Sequence, residues 1–125
     1  MAPASHISTI RELKKDLLEG KVVPFLGAGA SISAGFPGGS SLGIELVSEF
    51  QVIACKDLAK VASLCVMESS KIGLSAHLHY LFGEDKEPSR LHHYLANLPK
   101  PLLIVTTNYD RLMETALEKG LCERM

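Results

Sequence analysis

Apolar side chains recur at a spacing close to the helical repeat over most of this chain, and in two short places they run unbroken. Ile7, Ile10, Leu13, Leu17 and Leu18 share a stripe that predicts a first helix, with Gly20 placed to stop it. "KVVPFLG" then reads as a buried strand from Val22 to Leu26, although Pro24 can donate nothing to a central ladder. From Leu42 onward the pattern is helical again. Leu42, Leu46 and Phe50 share one face, and Leu58, Val61, Ala62 and Leu64 lie near another. Leu74, Leu78, Leu81 and Phe82 precede a stop at Gly83, and Leu91, Tyr94, Leu95 and Leu98 precede Pro99. "PLLIVT" is the second apolar run and predicts a second strand. "YDRLMETALEKG" predicts a final helix closed by Gly120.

Two continuously apolar strands separated by helices imply an α/β fold, a Rossmann-like parallel sheet with helices on both faces. An isolated strand pair is marginal in water. The expectation is therefore one domain over 1–125, helix-rich and truncated, whose sheet continues beyond Met125.

Composition narrows the function classes. Hydrophobic residues make up 46% and charged residues 22%, an ordinary globular balance. Lys plus Arg (13) against Asp plus Glu (14) leaves no basic excess, which argues against a nucleic-acid partner. No apolar stretch reaches the length of a membrane span, about 18 residues, and the N-terminus lacks the apolar core of a signal peptide. Cys55, Cys65 and Cys122 form no C-x-x-C pair, so a cytoplasmic location is expected and the cysteines read as buried small hydrophobes.

Candidate chemistry sits where the two strands end. After Leu26 comes a seventeen-residue segment, Gly27 to Gly43, with six Gly, one Pro and four Ser, expected to be loop with at most a short helix near 31–34. Gly27 and Gly29 would let backbone N–H groups approach an anion closely, with a helix near Ser31 adding its positive end. The segment is neither the G-x-x-x-x-G-K-[ST] phosphate loop nor the full G-x-G-x-x-G fingerprint, because Ile32 holds the third glycine position. A tight turn that simply needs glycine explains it equally well. After Val105 the run "TTNYD" places Thr107, Asn108 and Asp110 at a strand-to-helix junction. Thr107 or Asn108 could cap the final helix with Asp110 in its first turn, and the same side chains could face a ligand held at Gly27 to Ser31.

"VPFLGAGASISAGFP" followed by "LIVTTNYDRLMETAL" resembles the sirtuin-like (Sir2-like) family, in its front portion only. The wording "NYD", with no Gln before Asn108, is similar to bacterial NAD-consuming sirtuin-like domains of antiviral defence. The resemblance implies NAD as ligand or substrate, hydrolysed in full-length relatives to nicotinamide and ADP-ribose. By the same resemblance Gly27, Ala28, Gly29, Ala30 and Ser31 belong to the loop that cradles the diphosphate. Asn108 would face the nicotinamide ribose and position the attacking water, Thr107 would stand beside it, and Asp110 would shape the nicotinamide pocket. No metal is expected, because the Cys and His spacings offer no four-ligand set, and a C-terminal sensor domain or a homo-oligomer is left open as partner.

Two departures matter. Gly35-Phe36-Pro37-Gly38-Gly39-Ser40 replaces the family's G-I-P-D-F-R, which counts against lysine deacylation. The family's catalytic His lies downstream of the Asn turn, and none of the residues after Asp110 is His. The chain is thus expected to show impaired or no catalysis, with a catalytically inactive nucleotide-binding module as the rival reading. The chain's own histidines do not replace it. His77 and His79 diverge by about 200° on a helix. His92 and His93 read as surface positions, and His6 precedes the first helix. The run Glu84 to Glu87 reads as a solvated loop, and the Met and Leu stripes as core.

Overall fold

The computed structural model describes residues 4–125, with side chains from Ile7 onward. The elements are α1 (Ala4–Leu18), β1 (Phe25–Leu26), α2 (Gly29–Ile32), α3 (Gly39–Phe50), α4 (Leu58–Glu68), α5 (Lys71–Phe82), α6 (Arg90–Ala96), β2 (Val105–Thr106) and α7 (Leu112–Arg124). This is a helix-rich α/β arrangement with one two-stranded parallel sheet among the described residues.

Phe25 pairs with Val105 and Leu26 with Thr106. Both strands are much shorter than the apolar runs that predicted them. Pro24 stands just outside β1, where its carbonyl accepts from Val105 N–H at 2.9 Å, a role that needs no donor. The pleat separates two faces. Leu26, with Leu102 and Ile104, packs on Leu95, Ala96, Leu98, Met113 and Ala116 of the α6–α7 side. Phe25, 68% exposed, with Val23 and Leu103, stands on a face that no helix covers among the described residues. The expected cover on both faces is therefore half present.

The second core lies between α3, α4 and α5, where Leu42, Leu46, Val61, Cys65 and Phe82 close around Phe36 and Leu112. Each such side chain contributes about 1.5–3 kcal/mol of burial. Helix starts are marked by side-chain caps. Asp57 Oδ1 accepts from Ala59 N–H, and Ser70 Oγ accepts from Gly73 N–H. The end of α1 is set by Gly20 at φ +71°, where its N–H bonds Leu17 O and Lys21 N–H bonds Asp16 O.

Several expectations are corrected. The glycine-rich segment holds both α2 and the first turn of α3, so it is less irregular than its composition suggests. Gly120 does not close α7, which runs on to Arg124. It is buried against the end of α6, where a Cβ would make an ordinary contact, 3.5 Å from Ala96 O. Arg124 then donates to Ala96 O and Leu98 O, carbonyls at the end of α6. The stripe of α1 is exposed at Ile7, Ile10, Leu13 and Leu18, and Met67 and, on α6, Leu91 and Tyr94 are exposed too, so these are not core; α6 buries His92, Leu95 and Ala96 instead. Of the cysteines only Cys65 is buried, and Cys55 and Cys122 are exposed. His6 lies within α1, whose backbone begins at Ala4.

The loop after α5 is solvated at Glu84, Asp85 and Glu87, as its charges predict, and it is also tied to its surroundings. Lys86 donates to Gly35 O at 3.1 Å and sits 4.8 Å from the Phe36 ring centroid. Glu87 accepts from Lys119 and contacts His93. His92 is also not a surface residue. It is 1% exposed, and its Nδ1 accepts from Ser89 N–H, completing a reciprocal cap with the Ser89 hydroxyl.

Burial pushes the His92 imidazole pKa down, and the His93 charge adds to this while the Asp110 charge opposes it. A folded-state pKa below the unfolded value means the unfolded chain binds the proton first as pH falls. The stabilising contribution is then complete above about pH 6.5 and is lost below it. Urea melts at pH 7.5 and pH 5 should show falling stability for the wild type, with that part of the loss absent in His92→Gln. Equal loss in both proteins would assign the slope to other groups.

Candidate functional site

Parallel strands place their carboxyl ends on one edge, and here the turns after Leu26 and Thr106 meet. Ser31, 2% exposed, donates through Oγ to Asp110 Oδ2 at 2.6 Å. Asn108 Nδ2 donates to Gly27 O at 2.9 Å and to Ser31 Oγ at 3.0 Å. Because the Gly27 carbonyl only accepts, the side of the amide facing it is the NH2. Both amide hydrogens are thus engaged, and the carbonyl oxygen of Asn108 makes no hydrogen bond among the described residues.

The cap on α7 is neither Thr107 nor Asn108. Asp110, 8% exposed, accepts from Leu112 N–H through Oδ1 at 3.0 Å. Asn108 N–H is itself held by Thr106 Oγ1 at 3.0 Å, which bends the chain out of β2. A carboxylate suits position 110 because one oxygen caps the helix while the other holds the glycine loop.

The two turns enclose a crevice of about 290 Å³ lined by Ala28, Ser31, Thr107, Asn108 and Asp110. Its far wall comes from Gly38 and Gly39, with Phe82 and Tyr109 closing one side. Gly27 and Gly29 are not among its lining residues, and Gly27 is tied to this wall only by the bond from Asn108 Nδ2 to its carbonyl. A Cβ built at Gly27 or Gly29 would meet no atom within 4 Å, so the loop is open to a close visitor. Ala30 does not line the crevice either, and is half-buried against the Leu26 cluster.

The loop offers fewer donors than its glycines suggested. Ala30 N–H and Ser31 N–H turn back to Gly27 O and Ala28 O, leaving the amides of Ala28 and Gly29 at its head. With a single turn, α2 has little dipole, so the positive end expected near Ser31 is supplied instead across the crevice. There the twelve-residue α3 begins at Gly39 with no side-chain cap and no acid in its first turn.

Sequence reasoning missed Phe82 and Tyr109 as walls. The aromatic inside "TTNYD" was the available signal for Tyr109, whereas nothing local marks Phe82. Its position follows from a stack in which Phe82 lies 5.6 Å from Phe36 and 5.5 Å from Tyr109, ring centre to ring centre.

None of the histidines whose side chains are described lines this crevice. His77 packs edge-on to Phe50 with Nε2 3.7 Å from Glu45, and His92 is tied to Ser89. Among the described residues no group of three or more His, Cys, Asp or Glu side chains could hold a metal ion. No described helix is long and apolar enough to cross a membrane. Neither the protein-family models nor the curated proteins compared with this chain give a match.

Proposed function

We propose that the crevice binds NAD, with the diphosphate along the Gly27–Gly29 loop and the nicotinamide riboside end against Asn108 and Asp110. The observation that carries this reading is the Asn108–Ser31–Asp110 network. It joins the two turns singled out by the sirtuin-like resemblance into one polar wall, beside glycines that face open space. A volume of about 290 Å³ is at the low end for ligand pockets, enough for one end of a dinucleotide but not the whole. The remainder would run over the loop.

The chemistry such a wall supports is cleavage of the nicotinamide–ribose bond. As the bond breaks, positive charge develops at the ribose C1′, and an oriented dipole stabilises it without titrating. The Asn108 carbonyl oxygen is the group left to accept a hydrogen bond from a water. That water adds to C1′ as nicotinamide departs, and one proton passes to solvent.

A second reading is favoured by the lining itself. The crevice holds no described histidine, and the Asp110 carboxylate is committed to Ser31 and Leu112, so no evident base stands ready. This is the reading of a domain that binds NAD and turns it over slowly or not at all. Chromatographic measurement of nicotinamide release separates the two. If turnover occurs, Asn108→Ala should lower it by about 10²–10³, the effect of removing an oriented dipole. A wild-type rate in that variant, with only a lower melting temperature, would make Asn108 a brace between turns and nothing more. The wild type binding NAD without releasing nicotinamide would establish the second reading.

A further inference from the structure

Behind the Tyr109 ring lies a second groove, of about 610 Å³, that the reading above leaves unused. Phe82 and Tyr109 line both cavities, so their ring pair is the partition between them. Tyr109 is 62% exposed although it is an aromatic side chain beside a buried partner, which leaves it available as a stacking platform. Leu74 and Leu78, half-buried on α5, add apolar lining. The charged lining is unbalanced. Lys71 and Arg111 stand against Asp85 alone. Arg111 reaches Glu118 only at 3.6 Å with both side chains largely exposed, a pair too loose to hold the guanidinium.

An apolar, aromatic-walled cavity of ordinary ligand size with a cationic rim selects a flat ring that carries an anion. We infer that this groove is a separate site for a nucleoside monophosphate, its base against Tyr109 and its phosphate toward Lys71 and Arg111. The site does not depend on NAD occupying the neighbouring crevice.

Calorimetry with AMP, adenosine and inorganic phosphate tests it on the full chain. AMP should bind more tightly than either of the other two. The double variant Lys71→Glu with Arg111→Glu should weaken AMP by roughly 10- to 100-fold, the range for lost charge-assisted contacts, with an unchanged melting temperature because both side chains are exposed. Gly29→Val, which obstructs only the neighbouring loop, should leave AMP affinity as in the wild type. The assignment is overturned if no AMP binding is found, or if the charge reversal leaves AMP affinity intact. It is equally overturned if Gly29→Val abolishes AMP binding, since the nucleotide would then lie in the first crevice. Phosphate binding as tightly as AMP would remove the role of the ring, and adenosine binding as tightly would remove that of the cations.

Discussion

Gly29→Val is expected to weaken NAD binding by at least roughly 100-fold, about 2.7 kcal/mol, while the melting temperature barely moves. The two halves of this outcome have separate physical causes. A Cβ at Gly29 meets no protein atom within 4 Å, so the folded chain has room for it. A β-branched residue in a one-turn helix costs less than about 1 kcal/mol in propensity relative to alanine. A diphosphate drawn onto the Ala28 and Gly29 amides would occupy the same space, and the valine methyls would hold it away from hydrogen-bond distance. Calorimetric titration of both proteins, beside thermal melts, is the measurement. Equal affinity in both would show that the loop does not hold the diphosphate. Failure of the folded wild type to bind NAD at all would end the proposed function.

The largest loss of stability is expected from Asp110→Ala. Removing the carboxylate leaves the buried Ser31 hydroxyl and the Leu112 N–H without their acceptor. Each orphaned buried donor costs about 1–3 kcal/mol, so roughly 2–6 kcal/mol is expected in total. That is a large share of the 5–15 kcal/mol typical of a whole domain, and it should lower the melting temperature by roughly 10–20 °C. Asp110→Asn keeps one acceptor oxygen and should recover part of the loss. A fall of less than about 1 kcal/mol in Asp110→Ala would mean that the Ser31 contact is dispensable and that the two turns are not locked together. Asn108→Ala provides the contrast. Asn108 is only half-buried, and its loss removes donors from the Gly27 carbonyl and the Ser31 hydroxyl without orphaning a buried N–H.

Local pattern sufficed for much of the architecture because the signals involved are local. The α1 stop at Gly20, the helical periods of α3 to α6 and the polar junction after β2 each depend on residues within a few positions of one another. The pairing of the glycine loop with "TTNYD" was also legible, since both follow apolar runs and parallel strands share an edge.

Tertiary structure alone decided the rest. The strands shrank to two residues each because hydrophobicity records burial, whereas a strand also needs a partner along its length, and each has one neighbour among the described residues. The capping role passed to Asp110 because a side chain that already holds Ser31 is fixed in place to accept from Leu112 N–H, a choice that depends on a residue far away in sequence. His92 went inside and α1 kept its stripe outside because burial depends on what packs against a helix face, and periodicity names only the face. Tyr109 and Phe82 became a common wall for the same reason. Contacts between residues distant in the chain leave no spacing to read, so the groups that could carry chemistry were visible in sequence, but the cavities they line were set by packing.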